Sequence, residues 1–167
     1  MITAIKFKNG IASFTNKFVK TEGFLKEQKV DKFLYRGVFG SQKKGGVINN
    51  AFNLNLKNIA NTHVIKLGDE LLALWEAAGP HSLDPNNLET NGLTTLQGVL
   101  KKNEAFSAHP KVDFNSNSAD EVLITFGVQT GPTSTIRLME FSNAGKNSGK
   151  ILFDRKDKLK GFAFLHD

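Results

Sequence analysis

The chain has no cysteine among its 167 residues. That excludes disulfides, thiolate metal sites and cysteine nucleophiles together, and leaves histidine, carboxylate, hydroxyl and lysine groups for any chemistry. Long apolar runs are missing too: the best stretch, Leu71 to Trp75, is bounded by Glu70 and Glu76, far short of the roughly 18 residues that a membrane-spanning helix requires. Lys6, Lys8, Lys17 and Lys20 interrupt the opening hydrophobes, so no signal-peptide core can be drawn and a cytoplasmic protein is expected. Arginine is scarce. Lys and Arg together number 22 against 16 acidic residues, for a net charge of +6, but the only arginines are Arg36, Arg137 and Arg155. Base-edge and phosphate recognition favours the guanidinium fork, and the lysines are scattered with no dense block, so no nucleic-acid partner is expected. Scattered lysine suits a solvated strand face or weak attraction to an anionic membrane surface.

What is present reads as strands. The length matches one domain, and 40% apolar residues with 14 Phe suffice for a packed core. Two-residue alternation runs through Ile11 to Val19, through His63 to Leu67 and on through Leu71 to Trp75, which is the period of a half-buried strand. Gly68-Asp69 between the last two is hairpin chemistry, because glycine accepts the positive φ of a tight reversal. Residues 62 to 76 are therefore expected to form a hairpin. Downstream, Ala105 to Asp113, Glu121 to Gln129, Thr135 to Phe141 and Lys150 to Arg155 make four strand candidates. Asn115 to Ser118, Gly131-Pro132 and Asn143 to Gly145 separate them with turn formers. Leu83 to Thr90 reads as a turn between two short extended pieces, and only Gly68 to Ala78 could pass as helical. The fold class is all-β, built of antiparallel meanders. A four-strand meander is what one blade of a β-propeller looks like, although pattern alone leaves a sandwich open. The final run, Lys160 to Asp167, is apolar and strand-like with no polar tail, and suggests a chain that is cut.

Motif searches mostly fail. Gly40 to Gly46 has the glycine spacing of a phosphate loop but carries Gly46 where lysine is needed, and Gly145 to Lys150 is one residue too short. Lysine-bearing turns explain both. No Gly-x-Ser-x-Gly elbow occurs, and the pairs Asp69-Glu70 and Asp120-Glu121 read as solvated turns. The four histidines, His63, His81, His109 and His166, show no local ligand spacing. In a radial β architecture, however, single histidines from distant strands can meet near the axis. His109 in Ala105 to Pro110 and His166 in Phe164 to Asp167 have suitable settings, whereas His81 beside Pro80 reads as solvent-facing.

Several strings then carry a resemblance: Phe18 to Glu22, Tyr35 to Gly40, Lys57 to Val64, Leu71 to Glu76, Leu83-Asp84-Pro85 with Leu88 to Thr90, and Phe106 to Lys111. In this order they resemble the carotenoid cleavage oxygenase family, most closely its cyanobacterial and plant-like members. The resemblance implies a seven-bladed propeller that holds one Fe(II) on its axis by four histidines. It also implies a polyene tunnel facing a peripheral membrane contact, and cleavage of a carotenoid or apocarotenoid double bond by O2 into two carbonyl products. Carried over residue by residue, His109 is the first iron ligand and His166 the second, while Glu76 matches a carboxylate that accepts a hydrogen bond from a ligand imidazole. His63 and His81 match no ligand.

The resemblance puts the remaining iron histidines beyond Asp167 and the family's opening segment before Met1. Residues 1–167 are thus expected to form a single incomplete β-propeller domain that lacks two of the four ligands and does not cleave carotenoids alone. Two other classes stay open at the level of sequence: a non-catalytic truncated β fragment, and a basic lipid-surface binding module.

Overall fold

A computed structural model describes residues 1–35, 57–114, 121–163 and 165–166. Among the described residues the named strands all pair antiparallel. Strands β1 (Ile2–Lys8) and β2 (Ile11–Lys17) form a hairpin. A first four-stranded sheet contains β3 (His63–Leu67), β4 (Glu70–Leu74), β5 (His81–Leu83) and β6 (Thr90–Leu93) in sequence order. A second sheet is built likewise from β7 (Lys111–Phe114), β8 (Glu121–Gln129), β9 (Thr133–Ser142) and β10 (Ile151–Lys160). The second sheet is the four-strand, blade-like meander expected from the alternation, and in the first the expected hairpin is extended by two short strands into a meander of the same kind.

The predicted hairpin forms in register, with His63 opposite Leu74 and Leu67 opposite Glu70, and Gly68 turns it at φ +62°. Its second strand explains the apolar run. Leu72 and Leu74 pack into a core with Leu123, Met139 and Phe141 of the second meander and with Phe106, which precedes it. Ala73, on the opposite face of β4, packs with Ile2, Val19, Leu83 and Leu88. A strand covered on both faces has no polar face to alternate with, so continuous apolar sequence replaces alternation.

Four local expectations are corrected. A helix, α1 (Glu22–Val30), occurs where none was expected. The Thr21 hydroxyl caps it by accepting the Phe24 N–H at 3.2 Å, Lys26 pairs with Glu22 one turn back at 2.5 Å, and Asp31 closes it at φ +49°. None of its residues is buried, so no 3.6-residue apolar stripe exists in the sequence to betray it. The candidate helix Gly68 to Ala78 is instead a turn, β4 and a second turn. Of the candidate strand Ala105 to Asp113, only the part from Lys111 pairs with a neighbour. The described residues of Lys160 to Asp167 are not a strand after Lys160, apart from one isolated bridge between Gly161 and Thr133. The turn-rich stretches Gly40 to Gly46 and Asn115 to Ser118 lie outside the described residues, as do five of the six residues of Tyr35 to Gly40. Gly145–Asn147 is a short 3-10 turn with no helix after it, as a lysine-bearing turn requires. Among the described residues no helix is long and apolar enough to cross a membrane.

Candidate metal centre

Glu76 stands two residues past the end of β4, in a turn where the Ala78 N–H donates to the Trp75 carbonyl at 3.4 Å. The strand is fixed from both sides, so the carboxylate leaves a rigid base. Its side chain is 8% exposed, and Oε1 is buried without a hydrogen-bond partner. Such an atom is costly unless something compensates it.

His109 arrives on an irregular segment that bridges the two sheets. The Phe106 N–H donates to the Ala78 carbonyl at 3.3 Å, next to the Glu76 turn, and the Ser107 N–H donates to the Phe126 carbonyl of β8 at 2.7 Å. The Ser107 hydroxyl accepts the His109 N–H at 3.1 Å. This backbone lies so close to β8 that a Cβ at Gly127 would stand 2.1 Å from the Ala105 carbonyl oxygen. Only glycine lets the segment bond two sheets at once.

His166 is brought in by the chain returning from β10. The buried Ser134 hydroxyl donates to the Gly161 carbonyl at 2.8 Å and accepts the Ala163 N–H at 2.9 Å. The Thr130 hydroxyl donates to the Ala163 carbonyl at 2.8 Å. The β8–β9 turn therefore anchors the segment three residues before the imidazole.

The three predicted site residues meet. His109 Nε2 and His166 Nε2 each lie 3.9 Å from Glu76 Oε1, the rings are 5.0 Å apart, and ligand atoms of the trio lie within 4.8 Å of one another. Two donors each about 2.1 Å from one ion are at most about 4.2 Å apart; both carboxylate–imidazole distances meet that limit, and closing the whole trio on a single cation takes a shift of at most a few tenths of an ångström from its 4.8 Å span. Nitrogen and carboxylate oxygen donors suit Fe(II) and neighbouring divalent metals, and a cation would compensate the orphaned Oε1. The residues fit a metal. At 3.9 Å the carboxylate is not hydrogen-bonded to either ring.

Of the other two histidines, one departs from expectation. His81 is 4% exposed on β5, which corrects its solvent-facing reading: β5 lies inside the first sheet, and burial pushes the imidazole pKa below its usual value. His63, which matches no ligand, stands outside the trio but against His109, with ring centroids 5.8 Å apart and planes at 25°. Sequence alone singles out neither Gly127 nor Ser134, because the chain offers no local signal that a strand serine or a strand glycine supports a distant side chain.

Charge on the far side of the second sheet is structural. Arg137 donates to Glu104 at 2.5 Å and to both Asp154 oxygens at 2.7 Å, and its bonds hold the Asp154 carboxyl below the usual range. Burial raises the Glu104 pKa, but Lys156, the Lys101 backbone and Arg137 outweigh it and keep the group ionised.

With this geometry in hand, similarity to known proteins is informative. The family described as RPE65, retinal pigment epithelial membrane protein, matches residues 1–167. The apocarotenoid-15,15'-oxygenase of Synechocystis sp. is 45% identical over 170 residues, covering 100% of this chain and 34% of that protein. Resveratrol cleavage oxygenase 1 of Aspergillus fumigatus is 36% identical over 115 residues, 67% of this chain and 21% of that protein. Among solved structures, a Synechocystis apocarotenoid oxygenase with glutamine in place of a glutamate superposes with a TM-score of 0.88 at 43% identity, covering 99% of this chain and 34% of that one. The cobalt-substituted Synechocystis enzyme superposes at 0.87 with 44% identity, over 99% of this chain and 34% of that one. The chain spans about a third of the length of these Synechocystis relatives. A match over every residue, joined to a propeller-type fold, makes the chain a member of the RPE65 and carotenoid oxygenase family.

Proposed function

We propose that this chain supplies half of an Fe(II) centre in a dioxygenase that splits a conjugated carbon–carbon double bond of a carotenoid or apocarotenoid. The observation that carries this reading is the convergence of His109, His166 and the buried, unpartnered Glu76 oxygen on one point. The relatives' names, apocarotenoid and resveratrol oxygenases among them, share a substrate with a double bond in conjugation, and the polyene is the class that the more similar of these two relatives carries. When bound, the iron supplies activation of O2. The net reaction inserts one oxygen atom at each carbon of the cleaved bond, so one double bond and one O2 become two carbonyl groups without an external reductant.

The protein's own residues have separable tasks. His109 and His166 offer neutral imidazole nitrogens, which leave the charge of the ion unreduced. Glu76 brings a carboxylate to the pair, and the family resemblance assigns it the task of orienting a ligand imidazole. A second reading, in which Glu76 Oε1 itself ligates, is favoured by its equal 3.9 Å distance from both Nε2 atoms. Residues 1–167 act as an incomplete propeller in this account, and a peripheral membrane contact belongs to the complete enzyme.

The test is anaerobic Fe(II) titration of the 167-residue chain, followed by product analysis with an apocarotenoid and O2. One weakly held ion per chain, lost in His109→Ala and in His166→Ala, with no carbonyl product, is the expected result. Binding untouched by both substitutions overturns the site. Aldehyde formation at enzyme-like rates overturns the half-centre.

A further inference from the structure

We infer that His63 is a positioning residue for the metal centre, holding His109 from outside the ligand set; the inference rests on the centre proposed above. The starting observation is a hydrogen bond. His63 Nδ1 lies 3.0 Å from the Ala108 carbonyl oxygen. A carbonyl only accepts, so Nδ1 carries the proton and donates, whatever the state of Nε2. The bond ties the first residue of β3 to the residue immediately before His109. The same imidazole lies nearly parallel to the His109 ring at 5.8 Å.

These two contacts complete a set. The segment 105–109 is pinned by the Phe106 N–H to the first sheet, the Ser107 N–H to the second, and the Ser107 hydroxyl to the His109 N–H. The first two bonds act on Phe106 and Ser107, and the third holds the peptide between Ala108 and His109 at its N–H only, leaving its oxygen to another partner. His63 binds that peptide's oxygen and flanks the ring that the peptide carries. Rotation of this peptide would swing the His109 imidazole, because Cα of His109 is the next atom but one. His63 thus sets the direction of a ligand without touching the ion, as partners outside the ligand set commonly do.

Its chemistry is specific. An asparagine side chain can place its Nδ2–H where Nδ1–H stands, whereas phenylalanine keeps a flat ring but donates nothing. The experiment is Co(II) titration of the 167-residue chain, read from visible absorption, with wild type, His63→Ala, His63→Phe, His63→Asn and the control His109→Ala, each also taken through thermal unfolding. Expected are about a tenfold loss of Co(II) affinity and an altered absorption envelope for His63→Ala and His63→Phe. Near wild-type behaviour is expected for His63→Asn, with Tm unchanged by more than a few degrees across the three.

If His109→Ala abolishes binding while all three His63 variants bind as wild type, the positioning role fails and the centre stands. If all three variants lose affinity alike, asparagine included, the donated hydrogen bond is not the cause and the inference fails. Wild type that takes up no Co(II), or a His109→Ala variant that binds normally, overturns the centre and the role together.

Discussion

The first four-stranded sheet is covered on both faces and the second on one. Leu72 and Leu74 of β4 face the second sheet while Ala73 faces the hairpin. Across β8 the inward Leu123 is buried, yet Ile124 on the other face is 40% exposed. The site straddles this difference. Glu76 leaves the doubly covered sheet and is 8% exposed, whereas His166 follows the singly covered sheet and is 53% exposed. Rigidity is thus graded across the centre, with the carboxylate on the firm side and the second imidazole following a segment that the Ser134 and Thr130 hydroxyls anchor.

Large-to-small substitution breaks the comparison most forcefully. Leu72→Ala removes a side chain that has no exposure and should cost about 2–5 kcal/mol, while Ile124→Ala on the open face should cost under about 1 kcal/mol. Urea unfolding of both variants checks this, and equal losses would mean that the second sheet's outer face is covered after all.

Gly127→Ala comes next. A methyl group 2.1 Å from the Ala105 oxygen must move the segment that carries His109, with an expected loss of about 1–3 kcal/mol and a fall in metal affinity. Leu72→Ala should weaken stability with less effect on binding, so the ratio of the two readouts separates packing from positioning.

Ser134→Ala is expected to be milder, about 1–2 kcal/mol for the lost hydroxyl bonds to Gly131, Gly161 and Ala163. Its signature is local: amide exchange at residues 161–163 should accelerate while β4 stays protected. Uniform acceleration would show that the serine supports the whole sheet.

The smallest effect is a pH dependence that belongs to the first sheet alone. His81 is buried with its pKa lowered from 6.5. Between that value and the lower folded one, the unfolded chain binds more protons, so stability falls as pH drops through 6.5 and levels off once the folded imidazole also protonates. Denaturant midpoints of wild type should decline over this window and those of His81→Phe should decline less. A wild-type midpoint that stays flat between about pH 7.5 and 5.5 would contradict burial of His81.

Much of this was legible in sequence where a residue's surroundings are local. Alternation located β3, and Glu121 to Gln129 coincides with β8, because a strand with one wet face writes its period into the chain. The trio Glu76, His109 and His166 was reached through family resemblance, since nothing in the spacing of two histidines reports that two segments converge. What stayed hidden depends on contacts without a pattern. Helix α1 buries no face, His81 sits in a strand of only three residues, HSL, and His63 earns its role from a backbone carbonyl 45 residues away.

The central claim is that two imidazoles and one carboxylate of this chain converge on a single metal ion. X-ray absorption of the anaerobically Fe(II)-loaded chain tests it most directly. The account predicts the multiple-scattering pattern of imidazole nitrogen in wild type, reduced in His109→Ala and in His166→Ala. Bound iron surrounded by oxygen alone, or a spectrum that neither substitution changes, would contradict it.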